Sequence, residues 1–167
     1  VSIRRVDAIS SGIGAGIHMK YAVESVIEGV ESSQSMGSHI LVEASAHNVI
    51  KGNHIHHAFD YSGSATYGYG ITFLHHSSDN LIEDNVLHHR RHALMVKQGA
   101  NGNVFANNYS YEPYREELPH DLTGDISLHG HYPFANLFEG NIVQNIIIDH
   151  YWGPSGPLNT FFRNVAQ

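Results

Sequence analysis

The stretch NVIKGN (48–53) recurs as NLIEDN (80–85), NVFANN (103–108), NLFEGN (136–141) and NTFFRN (159–164). Nearer the start, SVIEGV (25–30) is a variant with the asparagines replaced, and VSIRRV (1–6) reads as a degenerate copy. Successive copies begin 24, 23, 32, 23, 33 and 23 residues apart, so a unit of about 23 residues repeats and is lengthened twice. Self-similarity at such a period means a solenoid, in which each unit buries against its neighbours a face that it cannot bury alone.

A second apolar alternation precedes most copies: GIHM (16–19), HILV (39–42), GITF (70–73), ALMV (93–96) and DISL (125–128). Period-two runs punctuated by Gly, Asn, Ser and Asp read as strands, two per repeat. No segment carries a helical i, i+3, i+4, i+7 stripe, and the LxxLxLxxN signature of leucine-rich repeats is absent. The expected fold is all-β, a single domain over 1–167 with about seven coils and two longer loops.

If coils stack about 4.8 Å apart, Asn53, Asn85, Asn108, Asn141 and Asn164 form one column. Each amide then donates to one neighbour and accepts from the other, as in other in-register ladders, and the same residues suit left-handed backbone at a tight bend. This arrangement resembles the right-handed parallel β-helix of the pectate lyase-like superfamily, over essentially the whole chain. The resemblance implies a fold and not one activity, because that superfamily mounts many functions on the same coils.

Composition supplies context. With 41% hydrophobic and 15% charged residues the chain has material for one core, and its formal charge of −7 with no basic face argues against a nucleic-acid partner. Cysteine is absent, and no apolar run approaches the roughly 18 residues of a membrane span. Neither end reads as an amphipathic cap of the kind that normally covers a solenoid's open strands. The expectation is therefore a portion of a longer secreted protein, extracellular or at the cell surface, or a unit that forms homo-oligomers end to end.

The extra residues of the two long repeats fall at 57–69 (HAFDYSGSATYGY) and 112–124 (EPYREELPHDLTG), with only the short turn HHRRH (88–92) on the coil between. Two walls thus flank a low floor on the order of 10 Å wide, and long loops on a rigid scaffold are where binding residues gather. Register places His56, His88 and Tyr111 in one column and His57, His89 and Glu112 in the next. Candidate substrate-binding residues are Arg90, His89, His92, Tyr61, Tyr111, Tyr114, Arg115 and His120. Tyrosine stacks on sugar rings, arginine grips a carboxylate at two points, and histidine moves protons near neutrality. An acidic polysaccharide uses all three.

The segment VKQGANGNVFANN (96–108) resembles the strand that carries the catalytic arginine of alginate lyases and chondroitinase B. That resemblance implies proton abstraction beside a uronate by a lysine one coil earlier, assisted by the arginine. Here Lys97 stands near the arginine position, offset by one residue, and His75 or His76 near the lysine position. The candidate catalytic set is Lys97, His76, His88 and Arg91.

Plainer roles stand beside these: an ion pair of Lys97 with Glu43 or Glu83, which general base rates favour over catalysis, loop tyrosines that pack the loop onto the coils, and HHRRH as a solvated turn. HxHH (54–57), read as a regular strand, puts His54 and His56 on one side and His57 on the other, so no metal site is expected. No motif implies a cofactor, and calcium is left open. Two functions follow: a secreted carbohydrate-active protein that binds an acidic polysaccharide around 88–92 and can cleave it by β-elimination, or a non-catalytic structural or adhesive module.

Overall fold

The computed structural model describes residues 2–4, 14–63, 67–116, 118 and 123–167. Its strands, numbered along the chain, form three all-parallel sheets. The first holds β2 (Ala15–Lys20), β5 (Ser38–Glu43), β8 (Tyr69–Leu74), β11 (His92–Val96), β14 (Ile126–His129) and β17 (Ile146–Asp149). The second holds β3 (Val26–Glu28), β6 (Val49–Lys51), β9 (Leu81–Glu83), β12 (Val104–Ala106), β15 (Leu137–Glu139) and β18 (Thr160–Phe162). The third holds β1 (Ser2–Arg4), β4 (Glu31–Ser35), β7 (His54–Ala58), β10 (Val86–His88), β13 (Tyr109–Tyr111), β16 (Ile142–Val143) and β19 (Val165–Ala166). The chain visits first, second and third sheet in turn, then steps up one coil: a parallel β-helix of about six coils. No helix among the described residues is long and apolar enough to cross a membrane.

Each repeat therefore carries three strands and not two. The third is the short run directly after the second asparagine, which a two-strand reading merges into the turn. VSIRRV is also reassigned: Ser2, Ile3 and Arg4 pair with Glu31, Ser32 and Ser33 in the third sheet, so they do not stack under SVIEGV.

The asparagine motif brackets each second-sheet strand. Both asparagines form ladders, Asn48–Asn80–Asn103–Asn136–Asn159 and Asn53–Asn85–Asn108–Asn141–Asn164, with amide-to-amide distances of 2.8–3.0 Å. Asn85 is saturated. Its Nδ2 donates to the Ile50 carbonyl (3.0 Å) and to Asn108 Oδ1 (2.9 Å), while its Oδ1 accepts from the Asn53 backbone N–H and Nδ2. The left-handed backbone is not at these asparagines, however. It falls on the residue before the second asparagine, Gly52, Asp84, Asn107, Gly140 and Arg163, and on Gly29 before the equivalent Val30, with φ between 54° and 65°. That kink turns the corner and leaves the asparagine side chain pointing inward.

Between the ladders Ile27, Ile50, Ile82, Phe105 and Phe138 fill the core, and Phe105, Phe138 and Phe161 stack face to face with centroids 4.7 Å apart. The second and third sheets alternate buried and half-exposed residues, but β5, β8 and β11 are buried almost throughout. Leu41, Thr72 and Met95, which alternate with residues of the main core cluster along these strands, are buried too.

Both long connections, after Ala58 and after Tyr111, leave from the corner between third and first sheets, and the short turn after His88 lies between them. His120 lies outside the described residues.

Candidate functional site

The turn expected as a cleft floor is divided by the corner it makes. His88 and His89 belong to the outer side of the third sheet, Arg90 is inside, and Arg91 leads into the first sheet. Arg90 is 1% exposed. Its Nε donates to the His88 carbonyl at 3.2 Å and its Nη1 to His39 Nε2, which leaves His39 Nδ1–H to donate to Ser32 Oγ at 2.7 Å. Burial lowers the Arg90 pKa to about 10, and it drives His39, which also faces the Arg90 charge, well below the usual imidazole value. Arg90 is thus a buried corner residue and not a substrate contact.

Two more expected contacts are internal. His92 is buried with its Nδ1–H donated to the Gly124 carbonyl at 3.0 Å, and burial lowers its pKa to about 3. Tyr61 is 8% exposed, its hydroxyl accepting from the Ala58 N–H at 2.7 Å and donating to the His89 carbonyl at 3.3 Å. It fastens the first long loop to the coils. Sequence patterning misses this because a loop tyrosine has no period from which burial can be read.

The third sheet presents an aromatic shelf. His56, His88 and Tyr111 stack with centroids 5.2 and 4.7 Å apart, and His57, His89 and Tyr114 with centroids 4.8 Å apart. The register of the first column is as expected. The ring faces are occupied by one another, so the shelf offers ring edges and not stacking platforms for sugars. His57 does not point away from His56: its φ of 48° is left-handed, and so are those of Gln34, His89 and Glu112 at the same position. Alternation fails there, and the two rings meet with Nδ1 atoms 3.0 Å apart. Burial, then the neighbouring imidazoles, lowers the His88 pKa to about 4, and burial also lowers those of His56 and His89. Arg115 is half-buried in the second long loop.

Along the outer edge of the first sheet runs the column Lys20, Glu43, Leu74, Lys97, His129 and Asp149. Glu43 is committed to Lys20 (3.0 Å), His18 (2.9 Å) and His75 (3.2 Å), and Glu83 lies in the second sheet, so neither pairs with Lys97. Lys97 makes no ion pair among the described residues. Burial first and Arg91 second lower its pKa, with Asp149 opposing. Arg91, whose guanidinium lies 5.4 Å from the Tyr69 ring, has its Nε and Nη1 buried without a hydrogen-bond partner among the described residues.

Beside this cationic pair His129 is braced at both nitrogens, donating Nδ1–H to Asp149 (2.6 Å) and accepting from Trp152 Nε1–H (3.1 Å). Asp149 and Trp152 went unread in the sequence. The only signal was NIIIDH (145–150), an apolar run ending in an acid, which continues the Lys97–His129 column by one coil.

The four candidate catalytic groups do not converge. Lys97 and Arg91 share the first sheet, His88 is on the shelf, and His76 lies at the next corner in an open depression of about 360 Å³ with His75, Gln98, His131 and Tyr132. Gly99 (φ 71°) makes room for it, since a Cβ there would sit 2.4 Å from His76 Nδ1. Among the described residues the groups able to hold a metal are on the third sheet, where one ligand atom from each of His56, His57 and His88 lies within 4.8 Å of the others, as does one from each of Glu31, His54 and His56.

A family model described as right handed beta helix region matches residues 4–115. No curated protein and no solved structure matches the chain.

Proposed function

Since the chain belongs to the right-handed β-helix family, in which activity depends on what the coils carry, we propose that it is a secreted protein that binds an acidic polysaccharide at Arg91 and Lys97. The observation that carries this reading is a guanidinium with two buried N–H groups that have no partner among the described residues, beside an ammonium that makes no ion pair there. Buried donors left unpaired are costly, and a carboxylate would satisfy them. Repetition of that group along a uronate chain suits a column that crosses the coils.

The same pair supports β-elimination. With the uronate carboxylate held by Arg91, the carbon beside it becomes acidic, and Lys97, its pKa lowered by burial, takes that proton in its amine form. The electron pair forms the ring double bond as the neighbouring glycosidic C–O bond breaks, and the leaving oxygen takes a proton from the Lys97 ammonium. His129 is held at both nitrogens and serves as wall.

Titration with polygalacturonate and alginate, against a neutral glucan, tests the binding. Uronate polymers should bind with an affinity that falls as salt rises, Arg91→Ala should weaken this at least about tenfold, the loss of a charge-assisted pair, and Lys51→Ala should leave it unchanged. Equal affinity for the neutral glucan sinks the reading. Ultraviolet absorbance of unsaturated sugars, abolished by Lys97→Ala even at polymer concentrations that offset its weaker binding, reports cleavage.

A further inference from the structure

The third sheet concentrates imidazoles that the Arg91–Lys97 site does not use. His56 and His57 are consecutive, yet the left-handed φ of His57 brings both rings to one side with Nδ1 atoms 3.0 Å apart. Two nitrogens bound to one ion at the usual metal–imidazole distance of about 2.0–2.1 Å are separated by about 2.8–3.4 Å for angles between a right angle and a tetrahedral one. The His56–His57 pair already meets that spacing.

His88 supplies the third nitrogen. Its ring is held in plane between His56 and Tyr111, with interplanar angles of 15° and 9°, and its Nδ1 is buried without a hydrogen-bond partner among the described residues. On the far side of His56, Nε2 faces Glu31 Oε1 at 3.4 Å. A carboxylate there holds the proton on Nε2 and leaves Nδ1 as a lone pair, the arrangement by which outer carboxylates orient ligating histidines.

We propose that His56, His57 and His88 form a binding site for a divalent transition-metal ion, oriented by Glu31. An all-imidazole set suits Zn²⁺ and Cu²⁺ and not the oxygen-seeking Ca²⁺ or Mg²⁺. Three protein ligands leave a tetrahedral ion one position open to solvent, which distinguishes this site from a closed structural one. The site is on a different sheet from Arg91 and Lys97, so either stands without the other.

Calorimetric titration of the chelator-stripped protein with ZnCl₂, and separately with CuCl₂, tests it. One ion should bind per chain, and His57→Ala and His88→Ala should each weaken binding at least about tenfold. Glu31→Gln should weaken it by about 10–100-fold, the range for outer-shell partners. Replacing His75 and His76 together by Ala, exposed histidines away from the shelf, should change nothing. His57 is exposed, so its variant remains folded and decides the matter even if His88→Ala lowers the melting temperature. Wild-type affinity in His57→Ala, or an equal loss in the His75/His76 variant, overturns the site. Electron paramagnetic resonance of the Cu²⁺ form should count three imidazole nitrogens, and a single one overturns it.

Discussion

At the scale of single residues, Asn85 and Asn101 differ by the number of coils they join. Asn85 makes four hydrogen bonds in a buried ladder, whereas the Asn101 side chain donates to the Gly99 carbonyl two residues away at 2.9 Å. Asn85→Ala leaves buried groups on both neighbouring coils unpaired and should cost about 3 kcal/mol. Asn101→Ala should cost under about 1 kcal/mol. Urea unfolding of the two variants measures both. Arg90 and Arg91 separate as sharply, although adjacent. Arg90→Ala strands His39 Nε2 inside the core and should lower stability by about 2 kcal/mol or more while uronate affinity is retained. Arg91→Ala should do the reverse. A loss of binding from Arg90→Ala with stability unchanged would contradict its placement inside.

At the scale of elements, the solenoid passes stability from strand to neighbouring strand. Phe161 in β18 stacks on Phe138 with centroids 4.7 Å apart and planes 7° apart. Phe161→Asp should strip amide-exchange protection from β18 and β19 and leave that of β9 and β12 intact, because the inner coils keep both of their own neighbours. Uniform loss of protection along the chain would show a globally cooperative unit instead. The third sheet teaches a related point. Its strands are only two to five residues long, so the single left-handed residue in or just after β4, β7, β10 and β13, at Gln34, His57, His89 and Glu112, decides which side chains share a face there.

At the scale of the whole molecule, buried histidines set the response to acid. His39 and His92 are held neutral in the fold, with pKa values below the 6.5 of an exposed imidazole, that of His92 at about 3. Below pH 6.5 the unfolded chain takes up protons that the folded chain refuses. Stability is therefore fully present above that pH and lost as pH falls towards 3, by about 1.4 kcal/mol per pH unit for each such group. Asp125, whose pKa is raised by burial, works in the opposite sense just above 3.8. Melting temperatures from pH 8 to 4 should be level and then fall, and His92→Gln should shallow the fall. An unchanged acid limb in that variant would mean that His92 is solvated.

The repeat, the all-β class, the parallel stacking and the asparagine ladder through Asn85 were legible in the sequence, because a solenoid confronts every residue with its own counterpart one period away. Periodicity in one dimension then reports contact in three. The column of His56, His88 and Tyr111 was legible for the same reason. What lay beyond the sequence are the features set at corners: the third strand of each coil, the inward turn of Arg90, His57 beside His56, the loop anchor Tyr61, and Asp149 with Trp152 around His129. At a corner the chain leaves the period-two geometry on which face assignment rests, and one positive φ reverses the side to which the next residue points. Only the folded chain decides those directions, because they follow from local backbone hand and from which buried donors find acceptors on another coil.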